Sequence, residues 1–291
     1  MFFFITLTVF SLCCSTDTRT VHTLSGPVKG NRVDTLDPRT DEPISYDEFL
    51  TIPFAEPPLG SNRFAPPKPV QPWKELNNSV PFERVCYQVV HQKFKPFILA
   101  TKVGGGFGII PETDEDCLYL NIYVPVTKES SMPVLVWMTG GAFLIGGGIW
   151  YGPNFWMAHE IIIVTINYRV GPFGFLTLGV EDAPGNAGLL DQRLALQWVQ
   201  QNIAEFGGDP EQVTLAGESA GSFSATYHLV SPGSKGLFRR VIGNKQIAII
   251  CIEIMKCCNA QDRVEWVALV QVFIIGLHQK ALDLAMRLQH F

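Results

Sequence analysis

Gly217-Glu218-Ser219-Ala220-Gly221 follows directly on the apolar run Gln212 to Ala216 and opens a segment, Ser222 to Val230, whose Phe223, Tyr227 and Val230 share one helical side. A serine between glycines at a strand-to-helix turn stands clear of the sheet, because small neighbours avoid clashes at a strained bend. Its hydroxyl is open for attack on a carbonyl carbon, and the amide of the next residue faces the oxygen that becomes negative. The chemistry served is acyl transfer through a covalent serine intermediate. Gly140-Gly141-Ala142-Phe143 stands at the end of a second apolar run, Pro133 to Met138, with more glycine at Gly146, Gly147 and Gly148. Backbone that must aim N–H groups at one oxygen needs small residues. Each motif alone also fits an ordinary glycine-rich turn. Together, at the C-terminal ends of strands in one sheet, they can meet in the crevice where open α/β sheets bind ligands.

The elements that must position them are legible from periodicity. Leu118 to Val124, Pro133 to Met138 and Ile161 to Tyr168 are short apolar runs bounded by turn residues, and the last two, with almost no polar residue, suit strands buried on both faces, as in a parallel sheet under helices. Between Asn186 and Phe206, Leu190, Leu194 and Trp198 recur in steps of four beside the row Ala195, Val199 and Ile203, giving an amphipathic helix. It stops at Gly207-Gly208-Asp209-Pro210. Strand, helix and strand in this order make a right-handed crossover unit of an α/β fold. From Val21 to Trp73 the chain reads as short strand-like pieces, with Pro53, Pro57, Pro58, Pro66, Pro67, Pro69 and Pro72 excluding helix. An extended segment lying over a larger body is expected there.

The 291 residues are 47% hydrophobic and 17% charged, which excludes a disordered chain and leaves room for one large domain or two ordinary ones. With 22 basic against 27 acidic residues and no dense Lys/Arg run, nucleic acid is not an expected partner. Met1 to Cys14 is almost wholly apolar before Ser15-Thr16-Asp17, too short for a bilayer span and long enough for an export signal over 1–15. The basic residue usual before such a core is missing, and a buried N-terminal strand is the alternative. Export implies an oxidising, extracellular location. Cys13 and Cys14 would leave with the signal and Cys251, Cys257 and Cys258 lie in the tail, so Cys86 and Cys117 are the natural disulfide pair. Closing that loop is worth about 3 to 4 kcal/mol on the chain-entropy model. Asn77-Asn78-Ser79 fits a glycosylation acceptor at Asn77.

Further blocks stand in order along the chain: Phe49 to Pro58 with Gly60 and Arg63-Phe64, Glu115-Asp116-Cys117-Leu118-Tyr119-Leu120-Asn121, Asn167-Tyr168-Arg169 with Gly171, Gly185 to Gln192, and Asn202 to Val213. With the serine turn, they resemble the type-B carboxylesterase and cholinesterase family of α/β-hydrolases from roughly Val21 to Ile242. The resemblance implies an exported serine hydrolase of small carboxylic esters that needs no cofactor or metal. Ser219 looks like the acyl-accepting nucleophile, and the amides of Gly141, Ala142 and Ala220 like the oxyanion hole. Cys86 and Cys117 correspond to the family's first disulfide. Arg63 with Glu115, and Arg169 with Asp191, are similar to its structural ion pairs. Glu218 is either a tuner of the local field or the usual filler at its place.

Two departures bear on substrate. Thr139 stands where many esterases of the family have His, although cholinesterases replace that residue too. The stretch between Cys86 and Cys117 holds no Trp, so the aromatic that receives choline has no counterpart, and a general carboxylesterase is favoured. The resemblance implies a mixed sheet with flanking helices whose C-terminal half is missing, and a divergent tail over 243–291. The family's triad acid and histidine stand far downstream of the serine. His228, His278 and His290 read as bystanders, the adjacent Cys257 and Cys258 as weak evidence for a metal, and Val264 to Leu277 as too interrupted for a membrane span. Such a fragment is expected to keep the serine without its base. The competing expectation is a non-catalytic binding or adhesion protein on the same fold, although those relatives generally lose the serine.

Overall fold

A computed structural model of the chain describes residues 18–76, 84–88 and 112–244. The expected export signal over 1–15, the acceptor Asn77, the cysteines at 13, 14, 251, 257 and 258, the histidines at 278 and 290 and nearly all of the tail lie outside the described residues.

The fold opens with β1 (Thr18–Thr23), β2 (Gly26–Leu36) and β3 (Pro43–Pro53), joined antiparallel. β3 pairs along its other edge with β6 (Tyr119–Pro125), again antiparallel. The stretch expected to lie over a larger body is therefore, up to Pro53, a part of the main sheet. It takes this place because Val21, Val28, Phe49 and Ile52 are buried in the same core as the later strands. The prolines gather after β3, where a 3₁₀ turn at Gly60–Asn62 and a single bridge between Ala55 and Pro69 are the regular features. Proline nitrogens have no hydrogen to give a ladder. β4 (Arg84–Cys86) and β5 (Glu112–Asp114) form a small parallel pair of their own.

The centre of the sheet comes from β7 (Met132–Met138), β8 (Ile162–Ile166) and β11 (Gly208–Glu218), with β12 (Arg240–Asn244) beyond. A separate hairpin, β9 (Thr177–Val180) and β10 (Ala183–Pro184), precedes β11. The order of the eight-stranded sheet is β1-β2-β3-β6-β8-β7-β11-β12. β7 runs parallel to β8 and β11, and β11 parallel to β12. β6 runs antiparallel to β8, so the sheet is mixed, as the resemblance implied. Continuous apolar sequence reports that both faces are covered, and strand direction leaves no mark on it. The fold is a mixed sheet with flanking helices, as in α/β-hydrolases.

Three helices matter here: α1 (Gly171–Phe175), α2 (Ala187–Asn202) and α3 (Ala220–Val230). In α2 one of the two expected apolar rows, Ala195, Val199 and the following Ile203, is fully enclosed, while Leu190 and Leu194 of the other are half-buried. Phe206, just after it, meets Phe49 of β3 edge to face at 4.9 Å, which ties the first half of the sheet to the second. At the far edge, β12 has β11 as its partner among the described residues. Leu229, Val230 and Ile242 nearby are more than half exposed.

Candidate active site

β7 and β11 are parallel neighbours in a register that sets Leu215 beside Val136, Ala216 beside Trp137 and Gly217 beside Met138. Both chains therefore leave the sheet at the same rim, one into the glycine loop from Thr139 onward, the other into Glu218 and Ser219. Ser219 is the N-cap of α3 with φ 56° and ψ −120°, a backbone conformation that residues with a side chain rarely adopt. Holding it costs about 1 to 3 kcal/mol, which the surrounding packing must supply.

That packing explains the glycines of the pentad. A Cβ on Gly221 would run into the carbonyl of Met138, and one on Gly217 into the backbone of Gly221 and, at 2.9 Å, the Met138 oxygen. The turn is pressed against the end of β7 so closely that no side chain fits. From the other side, a Cβ on Gly140 would stand 2.6 Å from the carbonyl oxygen of Glu218, 2.7 Å from its Oε2 and 3.3 Å from the Cβ of Ser219. The glycine loop and the serine turn are thus in contact.

The loop itself is coiled left-handed. Gly141, Ala142 and Phe143 have φ of 114°, 57° and 58°, and the amides of Leu144 and Ile145 both donate to the Gly141 carbonyl at 3.0 and 3.1 Å. Successive left-handed residues leave amides unused by their own turn. The amides of Gly141 and Ala142 take no backbone acceptor among the described residues, and neither does that of Ala220 in the first turn of α3. Phe143 is buried with Tyr168, Val170 and Ala220 and packs on Phe175 at 5.0 Å, so one apolar cluster joins loop and helix start. The Tyr168 hydroxyl donates to the Thr139 carbonyl at 2.7 Å, and the Gly171 amide to that of Phe143 at 2.6 Å. The phenol of Tyr151 is raised above its ordinary range by burial and by the Glu218 carboxylate, while the Gly140 amide and the Trp137 indole pull the other way.

Cys86 and Cys117 are joined by a disulfide. Arg169 and Asp191, both almost fully buried, form a two-bond fork, Nε to Oδ2 at 2.8 Å and Nη2 to Oδ1 at 2.6 Å. The remaining Arg169 nitrogen donates to the carbonyls of Arg63 and Ala65, both at 2.9 Å. Burial pushes the Asp191 carboxyl upward against the opposing pull of that guanidinium. Arg63 pairs with Glu115 near the surface. All four charges tie the first half of the chain together and stand apart from the serine.

His228, expected to be a bystander to the serine, has no bond to Ser219 among the described residues and sits instead in a buried chain of hydrogen bonds. Its Nε2 lies 3.0 Å from Gln192 Oε1 and its Nδ1 2.8 Å from Ser234 Oγ, all three residues being buried. Gln192 Nε2 donates to Ser224 Oγ at 2.9 Å, and that hydroxyl donates to the Ala220 carbonyl at 3.0 Å. Donor inventory fixes the direction: Ser234 gives to His228, His228 to Gln192, Gln192 to Ser224, and Ser224 to the first turn of α3. Sequence reading had no signal for this chain of bonds. Burial, and then the nearby Arg193, lower the His228 imidazole to about 4. Among the described residues no histidine bonds Ser219: His22 lies on β1 at the other edge of the sheet, and His159 meets Arg39.

A left-handed serine on a strand-to-helix turn, in contact with a glycine loop at the C-terminal rim of a mixed sheet, defines the class: an α/β-hydrolase fold. The chain belongs to the carboxylesterase family, whose sequence profile matches residues 17–261. It is 45% identical to the acetylcholinesterase of Bungarus fasciatus over 226 residues, 76% of this chain and 36% of that one. It is 44% identical to carboxylesterase 1D of Mus musculus over 235 residues, 79% of this chain and 40% of the other. The cholinesterase of Mus musculus is 43% identical over 234 residues, covering 78% and 36%. The chain thus spans between a third and two fifths of the length of these curated relatives. Among the described residues, no group of three His, Cys, Asp or Glu could hold a metal, and no helix is long and apolar enough to cross a membrane.

Proposed function

We propose that this protein is a serine hydrolase of carboxylic esters that works through an acyl-enzyme on Ser219. The Oγ attacks the ester carbonyl carbon, a C–O bond forms, and the carbonyl electron pair moves onto oxygen. The amides of Gly141, Ala142 and Ala220 receive that oxyanion. Its collapse expels the alcohol, and water then releases the acid from the serine. The observation that carries this reading is the close approach of Gly140 to Ser219, where a Cβ on the glycine would stand 3.3 Å from that of the serine, so that loop and serine share one point on the rim.

The proton of Ser219 needs a base, and the described histidines do not supply one. Amides and binding alone retain about 10³ to 10⁴ over the reaction in water, so turnover by the described residues would be slow. Small-molecule esters of general carboxylesterase type are the substrate class favoured. Identities of 45% and 44% to an acetylcholinesterase and a carboxylesterase do not separate the two, so the preference rests on the missing Trp between Cys86 and Cys117. An extracellular location suits the Cys86–Cys117 bridge and the export signal read over 1–15. The test is hydrolysis of a chromogenic acetate ester by the purified chain and by Ser219→Ala. A rate that vanishes with the serine supports the esterase; equal rates in both would favour a binding role instead.

A further inference from the structure

Gln88 stands two residues after the disulfide cysteine Cys86 and is 8% exposed, and its carboxamide is fully spent on backbone. Nε2 donates to the Cys86 carbonyl at 2.9 Å and to the Gly146 carbonyl at 2.8 Å, while Oε1 accepts from the Gly146 amide at 2.8 Å. Gly146 has one donor and one acceptor, so the orientation of the carboxamide is fixed by its partners. The paired bonds imitate one rung of a β-ladder, made by a side chain.

Gly146 in turn is packed against the start of the glycine loop. A Cβ there would stand 2.7 Å from Thr139 Oγ1 and 3.0 Å from the Gly140 carbonyl oxygen. Ile145, one residue before, closes the loop by donating to the Gly141 carbonyl. A shift of Gly146 therefore presses on Thr139 and Gly140, directly ahead of Gly141 and Ala142. The other half of the disulfide is tied in too: Asn167 Nδ2 donates to the Cys117 carbonyl at 3.1 Å, and Asn167 Oδ1 accepts from the Gly148 amide at 2.9 Å. That second tie meets the loop at its far end. The Gln88 tie meets it where it abuts the proposed oxyanion amides.

We propose that Gln88 is a positioning residue for the oxyanion cradle, linking the Cys86–Cys117 bridge to the glycine loop through its paired bonds to Gly146. This rests on the esterase reading of Ser219 and adds to it a residue that touches no substrate. Without the carboxamide, the Gly146 N–H and C=O and the Cys86 C=O would be buried unpaired, and the loop would relax to satisfy them. Amides displaced from their mark lose part of their hold on a tetrahedral oxyanion while ground-state binding is spared.

The experiment compares the parent chain with Gln88→Met, which keeps the volume, and Gln88→Glu, which keeps the shape and loses both donors. The first readout is hydrogen exchange at the amides of residues 140–148 against those of β7 and β8. The second is affinity for an aryl trifluoromethyl ketone, followed by fluorine NMR, beside the unfluorinated ketone. Serine adds to the fluorinated carbonyl: its oxygen bonds the carbon, the carbonyl pair moves to oxygen and the serine proton leaves to solvent. We expect faster exchange confined to the loop, adduct affinity lower by about ten- to a hundredfold, short of the loss from deleting a donor, and unchanged binding of the plain ketone. Unchanged loop exchange in both variants overturns the inference, and so does adduct affinity equal to that of the parent. If the parent forms no adduct, the esterase reading of this chain falls, and the clamp is judged by exchange alone. Acceleration limited to 140–148 then upholds the tie from Gln88 to the loop but not a role at an oxyanion, and no acceleration overturns both.

Discussion

Gly140 lies against Ser219: a methyl group on the glycine would sit 3.3 Å from the serine Cβ and 2.6 Å from the Glu218 carbonyl oxygen. Backbone oxygen cannot move aside as a flexible side-chain end can. Gly140→Ala should therefore push the loop off the turn and cost about 1 to 3 kcal/mol as an overpacking change. Serine-dependent ester turnover should fall further than stability accounts for. Chemical denaturation beside an ester assay checks both, and full activity in a stable variant would contradict the contact.

Ser219 holds φ 56° and ψ −120° under strain, a conformation open to glycine and poor for any other residue. Ser219→Gly should raise the unfolding free energy by about 1 kcal/mol relative to Ser219→Ala, although both abolish attack. Urea midpoints of the two variants make the comparison. Equal midpoints would mean that the bend stores no strain.

Asp191 is fully buried against Arg169. Asp191→Ala leaves a guanidinium enclosed without its counter-charge, so a loss of about 3 to 5 kcal/mol is expected, enough to unfold a marginal chain. Arg63→Ala at the partly exposed pair with Glu115 should cost far less, because water and salt screen that pair. Thermal or urea unfolding of the two variants should rank them in that order.

His228 is lowered to about 4 in the fold, from an ordinary value near 6.5, by burial first and Arg193 second. Above pH 6.5 both folded and unfolded chains carry it neutral, and its contribution is complete. As pH falls from 6.5 towards 4 the unfolded chain takes up a proton that the folded one refuses, and stability drops by about 3 kcal/mol. Below 4 the loss ends. In His228→Gln this slope should be absent, so the difference in unfolding free energy between parent and variant, measured at pH 7 and pH 4, should change by that amount. A constant difference would mean that the imidazole titrates as it does in water.

Much of the site was legible because its constraints are local. A serine in a left-handed bend between strand and helix demands glycines next to it, and the apolar period changes across that bend, so Ser219 and its flanks announce themselves within a dozen residues. The same holds in part for α2, whose row Ala195, Val199 and Ile203 is the enclosed one. Thr139 to Phe143 were legible as a glycine turn after a strand. That this turn touches Ser219 was an inference from the rule of strand ends, and the register of Gly217 beside Met138 supplied the contact.

Other features left no trace in the letters. Gln88 is a glutamine among ordinary neighbours, and its meaning comes from Gly146, 58 residues away. The entry of β1, β2 and β3 into the main sheet left no trace because burial is written in the sequence and pairing is not. The bonds of His228 were hidden for the same reason: they run to Gln192, 36 residues back, and through it to Ser224. Sequence by itself determined where the chain must bend, bury and expose a hydroxyl, since those are properties of adjacent residues. Only the tertiary structure decided which polar groups meet, because a buried hydrogen bond needs two partners within about 3 Å and the chain sets no limit on how far apart in sequence they stand.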